Sequence, residues 1–316
     1  MKMKLAIAVS VVLMTLTGCS GGYLYTNAPA LEFEDVDYGY PVKKALDNPE
    51  VAYIDQGSGK KTILLIHGLA SNAGFWKYTI DELSKDYRVI ALDLPGYGKS
   101  DKKSYSYKLT FYADVIYRLL NELKLEKVYY AGHSMGGQIG IHFALKYPEM
   151  LDKLILASPA GIEPFQKGEG DWLRSVFSVP FVKATTEEGI RRNLSNNFYN
   201  WRDDLEWMVE ERTRTAKSKN FDEFAYTVVR CVNAMLDEPT SDKLEQISVK
   251  TLIVYGENDG LIPNPYLNPG FTADVFKEGK RRIPDCDLYE IPECGHMLQI
   301  EKPEEFTRAV LEFIKK

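Results

Sequence analysis

Cysteine and histidine are scarce in this chain of 316 residues, with four of each. Four cysteines are too few for the disulfide framework that holds small secreted domains together. The histidines, at positions 67, 133, 142 and 296, never pair at metal-ligand spacing, which argues against a zinc enzyme. No run of five or more Lys and Arg occurs, and acidic residues outnumber basic ones 45 to 39, for a formal charge of −6. The chain therefore has no electrostatic footprint for nucleic acid. Internal repeats and low-complexity segments are missing too. What is present, 45% hydrophobic and 27% charged residues, is globular composition, so disordered and fibrous classes drop out. The length allows one large α/β domain or two small ones.

The N-terminal residues read as an address. Lys2 and Lys4 precede an uncharged, mostly apolar stretch from Leu5 to Thr17, the pattern of a secretory signal and short for a spanning helix, which needs about 20 residues. Leu16-Thr17-Gly18-Cys19 resembles the lipobox of bacterial lipoproteins. That resemblance implies cleavage of residues 1–18, acylation of Cys19 and attachment to a membrane by several acyl chains, well beyond the marginal hold of one. Ser20 follows the cysteine in place of Asp, which in a Gram-negative cell favours the outer membrane. Residues 19–30, small and polar, are expected to form a flexible tether. Cys231, Cys286 and Cys294 remain, an odd number, so at least one is expected to be an unpaired thiol unless it pairs between chains.

Along the rest of the chain, short β-branched runs alternate with amphipathic stretches. Strands are predicted at 51–55, 62–67, 88–93, 128–131, 153–157, 251–255 and 287–291, several of them continuously apolar, as strands buried on both faces are. Helical patterns fall at 111–123, 136–146 and 302–314. This alternation predicts an α/β fold: a mostly parallel sheet with helices on both faces, built from residues 31–161 and 247–316. Residues 162–246 break the rhythm, with no strand-like run and many large aromatics, among them Trp172, Phe181, Phe198, Tyr199, Phe221 and Phe224. An insertion of roughly 85 residues is too long for a loop, so it reads as a helical cap.

Chemistry concentrates in Gly132-His133-Ser134-Met135-Gly136, between a predicted strand and a predicted helix. That context suits a nucleophile elbow, whose glycines permit a turn tight enough to lift Ser134 above the sheet. A serine hydroxyl needs a base, and the base needs an orienting acid. Asp259 follows the strand at 251–255 and His296 follows the one at 287–291, the chain order Ser, acid, His. Glu257 is the rival acid but lies closer to the strand. His67, His133 and His142 read as structural, His133 as the variable elbow residue pointing away from the site. An oxyanion needs fixed donors, and the backbone N–H groups of Met135 and of Leu69, in the turn His67-Gly68-Leu69-Ala70, are the candidates.

The elbow, the His-Gly turn, Asp93-Leu94-Pro95-Gly96-Tyr97-Gly98-Lys99-Ser100, Asp259 and Gly295-His296 together resemble the α/β-hydrolase superfamily over nearly the whole chain from Val51. The resemblance implies the α/β-hydrolase fold, a Ser134–Asp259–His296 triad, no cofactor and no metal, with Asp93 as a turn residue. More loosely, Ser158-Pro159-Ala160-Gly161 and Thr185-Thr186-Glu187-Glu188 are similar to segments of capped bacterial lipase/esterases and monoacylglycerol lipases. The chain departs from hormone-sensitive-lipase-like esterases, which carry His-Gly-Gly-Gly where this one has His67-Gly68-Leu69-Ala70. The expected activity is carboxylic-ester hydrolysis on a small ester or lipid held beside the membrane. The alternatives are carbon–carbon bond hydrolysis on the same scaffold and a non-catalytic lipoprotein scaffold.

Overall fold

The computed structural model describes residues 24–316. The expected leader 1–18, Cys19 and residues 20–23 lie outside the described residues.

Eight strands form one sheet: β1 Val42–Ala45, β2 Val51–Gln56, β3 Thr62–Ile66, β4 Arg88–Leu92, β5 Val128–His133, β6 Leu151–Ala157, β7 Thr251–Gly256 and β8 Cys286–Ile291. Their spatial order is β1-β2-β4-β3-β5-β6-β7-β8. Strands β3 to β8 run parallel, while β2 pairs antiparallel with both β1 and β4. The seven predicted strands are present, within two residues at each end. β1 is the addition. Its sequence, Val-Lys-Lys-Ala, has no apolar run to find, and its exposed lysines suit an edge that must not recruit another chain.

Helices cover both faces because the central strands are apolar on both. On one side α2 (Leu109–Glu122), α3 (Met135–Lys146) and α9 (Thr272–Arg282) bury Ile116, Ile139 and Phe276 against Leu64, Leu154 and Ile253. On the other, α1 (Lys77–Leu83) and α11 (Pro303–Lys315) bury Ile80, Phe306 and Phe313 against Ile63, Leu65 and Val254. Right-handed crossovers between parallel strands put the loops that leave the strand carboxyl ends at one end of the molecule, where sites of open α/β sheets form.

Between β6 and β7 the chain is helical: α4 Lys167–Val176, α5 Val179–Lys183, α6 Glu187–Ser195, α7 Glu206–Thr215 and α8 Phe221–Asp237. The large aromatics there divide. Phe198, Phe221 and Phe224 are buried, whereas Trp172, Phe181 and Tyr199 are about half exposed. One expectation fails. Residues 24–30, expected to be part of a flexible tether, are fastened to α6 and α7. The Glu187 carboxylate accepts the N–H groups of Leu24, Tyr25 and Thr26 at 3.0, 3.0 and 2.7 Å. Small and polar composition pointed to mobility, but backbone amides that find a buried carboxylate are held whatever side chains flank them.

Candidate active site

Strand β5 ends at His133 and α3 begins at Met135, so Ser134 alone makes the turn. Its backbone sits at φ 53°, ψ −117°, a conformation non-glycine residues avoid unless the surroundings impose it. They do so here. Ser134 N–H donates to Ala157 O on β6 at 3.0 Å, and its carbonyl accepts from Gly137 N and Ala160 N at 2.8 and 3.1 Å. Gly136 lets α3 approach β3, since a Cβ there would lie 2.4 Å from Ile66 O. The side chain is thereby lifted off the sheet and remains partly exposed.

His296 and Asp259 meet across the next two loops. His296 Nδ1 is 2.8 Å from Asp259 Oδ2, and both residues are buried. Asp259 Oδ1 accepts the N–H groups of Leu261 and Ile262 at 2.9 and 3.1 Å, which fixes the carboxylate and supports its charge. With Nδ1–H committed to Asp259, Nε2 is the nitrogen left to take a proton. The rival Glu257 instead accepts from Glu293 N–H at 3.3 Å. Among the described residues no hydrogen bond joins Ser134 Oγ to His296. The two are linked through His133, whose ring centroid lies 4.8 Å from that of His296. Catalytic hydrogen bonds often close only around substrate.

The His67–Ala70 turn bends directly over the elbow. A Cβ on Gly68 would sit 3.1 Å from Ser134 Cβ and 3.0 Å from His133 Nδ1, so any side chain there would crowd the elbow. Leu69 follows it, and Met135 opens α3, where the first N–H groups have no intrahelical acceptor. Met135 thus adjoins Ser134 in the chain, and Leu69 adjoins the glycine packed against it.

The other histidines are bonded into the fold. His67 Nε2 accepts Leu94 N–H at 3.1 Å and its Nδ1 donates to Gly68 O at 2.7 Å. Burial pushes its pKa down to about 4, so it stays neutral. His142 Nε2 donates to Glu238 O at the end of α8, at 3.0 Å. His133 corrects the sequence reading: it does not point away. Its Nε2–H donates to the His296 carbonyl at 2.9 Å, and burial, with the neighbouring His296 ring, holds its pKa well below the usual imidazole value. An elbow residue follows its strand's alternation, and here that alternation turns it toward the loop after β8. Asp93 takes the turn role expected of it, accepting Ala73 and Lys99 N–H at 2.7 and 2.8 Å. Cys231, Cys286 and Cys294 are all free.

Sequence reasoning missed three residues that tie the cap to this site. Glu301, in α10 (Leu298–Glu301), accepts Gly295 N–H next to His296 at 2.7 Å, and also Tyr199 and Asn200 N–H in the cap at 3.1 and 2.7 Å. On α7, Arg212 donates to Ala70 O at 2.6 Å, and Glu211 accepts from the Asn72 amide at 2.7 Å. Burial raises the Glu211 pKa to about 7, against the opposing pull of the Asn72 hydrogen bond and of Arg212. A small cavity of about 20 Å³ separates α7 and α8 from the 70–75 loop, beside this pair. No motif marks any of the three, because Glu301 and Arg212 bond to backbone, and Glu211 to a side-chain amide, that only the fold brings near.

The family model of the alpha/beta hydrolase fold matches residues 61–303. The chain belongs to the alpha/beta hydrolase family. This hydrolase is similar to a solved structure from Pseudomonas aeruginosa PAO1 described as a "probable hydrolytic enzyme", at 29% identity and TM-score 0.80, covering 92% of this chain and 99% of that one. It is also similar to a bacterial membrane phospholipase A, at 25% identity and TM-score 0.73, covering 88% and 86%. A 2-hydroxy-6-oxononadienedioate/2-hydroxy-6-oxononatrienedioate hydrolase of Pseudomonas putida is 27% identical over 84% of this chain and 91% of its own. The relatives of this hydrolase therefore include enzymes of ester and of carbon–carbon bond cleavage.

Proposed function

We propose that this hydrolase cleaves carboxylic esters through an acyl-enzyme on Ser134. The observation that carries the reading is the 2.8 Å contact of His296 Nδ1 with a doubly anchored Asp259, at the same end of the sheet as a serine held at φ 53°. His296 Nε2 takes the proton of Ser134 Oγ as the oxygen attacks the ester carbonyl. The N–H groups of Leu69 and Met135 hold the resulting oxyanion, each donor contributing roughly 10²–10³ in rate. Collapse breaks the bond to the alcohol, which leaves with the proton returned by His296. Water then gives a proton to His296 and attacks the acyl group, releasing the acid and restoring Ser134. Asp259 keeps the imidazole in the required tautomer and stabilises its cation. No cofactor enters this cycle.

The aromatic cap favours an apolar acyl group, and the likeness to a membrane phospholipase A supports a lipid or medium-chain ester such as a monoacylglycerol. Acylation at Cys19 would hold the enzyme at a bacterial membrane, the outer one in a Gram-negative cell. Replacing Cys19 by Ala should move the protein from the detergent phase to the aqueous phase. Retention in the detergent phase would remove the lipid anchor from the account.

The second reading, hydrolysis of a carbon–carbon bond in a vinylogous diketone, is favoured by the Pseudomonas putida relative. A panel of nitrophenyl esters beside a ring-fission diketone separates the two. The preferred reading requires the esters to turn over faster.

A further inference from the structure

The large apolar side chains left exposed among the described residues are distributed unevenly. Trp172, Phe181 and Tyr199 are on the cap at 45, 52 and 53% exposure. Tyr266 and Phe271 stand in the loop after β7 at 82 and 77%, and Leu24 leads the strap at 65%. The cap is inserted after β6, and the 257–271 loop leaves β7, so both occupy the carboxyl end of the parallel sheet. The outer faces of α2, α3 and α11 carry no such side chain, and α1 carries Tyr78 at 37%. Trp and Tyr, apolar rings with one polar group, favour the boundary between water and lipid headgroups, and Phe and Leu beside them bury just below it.

The strap fixes where the N-terminal chain leaves the molecule. Besides three backbone amides, Glu187 accepts the Thr26 hydroxyl at 2.8 Å, and its side chain is 2% exposed. Lys217 donates to the carbonyls of Tyr25 and Thr26 at 3.2 and 3.1 Å and to that of Ala28. Arg214 Nε donates to Pro29 O at 3.1 Å, and Leu31 N–H to Arg214 O at 3.2 Å. From Leu24 back to Cys19 is five residues, a reach of at most about 18 Å, against a body roughly 50 Å across. The uncharged run Leu5–Thr17 ends two residues before Cys19, so if that run is the membrane element the leash is seven residues, at most about 25 Å, still about half the width of the body.

We propose that the cap end of this hydrolase is a bilayer-docking surface, on which the strap from Leu24 to Leu31 holds the anchored chain so that the Ser134 site faces lipid. The inference rests on the membrane attachment proposed above and not on the ester chemistry. The occupant is the bilayer that holds the N-terminal segment.

The full chain, purified in detergent and returned to phosphatidylethanolamine–phosphatidylglycerol vesicles, tests it. Lipids brominated along the acyl chain should quench its tryptophan emission by at least a fifth relative to unbrominated vesicles. Trp172→Phe should abolish most of that quenching, while Trp76 in the core stays unquenched. Glu187→Ala, which frees the strap, should halve the Trp172 quenching while the protein still floats with the vesicles. Flotation with no quenching at Trp172 would overturn the proposal, since the anchor would then hold the cap away from lipid. Loss of flotation would overturn it together with the anchor. A dimer abolished by Phe271→Ser, with no quenching, would assign the face to a second copy. Nitrophenyl ester turnover in the same vesicles reports separately on the chemistry, so either reading can fail alone.

Discussion

His296 is held from three directions: Asp259 fixes its ring, His133 its carbonyl, and Glu301 the amide of the residue before it. The first partner follows from the chemistry a serine needs, and the sequence order of Ser134, Asp259 and His296 makes it legible. The other two act on backbone, and no residue pattern announces a side chain that will meet a particular carbonyl or amide. His133 is accordingly a positioning residue whose role can be tested. His133→Leu removes the donor to His296 O and should lower kcat about tenfold with KM little changed. His133→Gln, which can present an amide N–H there, should recover much of the loss. Equal losses in the two variants would mean the ring only fills space. Glu211 gives a pH effect of defined sign. Its folded pKa of about 7 lies above the ordinary glutamate value, so between the two the folded state binds more protons than the unfolded. Stability is therefore lost as pH rises through that window. Glu211→Gln should flatten the fall in Tm from pH 5 to pH 8, and an unchanged slope would show that Glu211 does not titrate there.

Among the elements, periodicity and strand chemistry place the sheet well. The short, continuously apolar runs ILLI and LILA read as strands buried on both faces, and they are β3 and β6. The strand β1 escapes because a charged edge strand carries no apolar signature. The cap's helices are visible as a break in the β–α rhythm, but how it docks is not. Its attachments are carboxylates and a guanidinium bonded to backbone: Glu301 to Tyr199 and Asn200, Arg212 to Ala70, Glu187 to the strap. Buried amides that lose their acceptor cost about 1–3 kcal/mol each. Glu301→Ala strands one buried amide, Gly295 N–H, and two partly buried ones that water can reach, and should cost about 1–3 kcal/mol in urea denaturation. It should lower kcat as well, because the same carboxylate steadies the turn carrying His296. A stability loss with kcat unchanged would confine Glu301 to the cap's attachment.

For the molecule as a whole, charge and shape divide the labour. A net charge of −6 supplies no general attraction to anionic surfaces, so the docking proposed above rests on the N-terminal segment and on the aromatics at the cap end. The parallel sheet gathers Ser134, Asp259 and His296 from three separate loops at that same end, under the cap. A scaffold protein would have no need for this convergence of a strained serine, an oriented imidazole and a glycine turn so near that a Cβ on Gly68 would lie 3.1 Å from Ser134 Cβ. Turnover of nitrophenyl esters from two to sixteen carbons, by the full chain and by Ser134→Ala in parallel, tests the account most directly. It predicts measurable hydrolysis with an optimum at medium to long chains, and a loss of at least roughly 10⁴-fold in the variant at unchanged Tm. Turnover unaffected by the substitution, or no ester hydrolysed at any length, would contradict it.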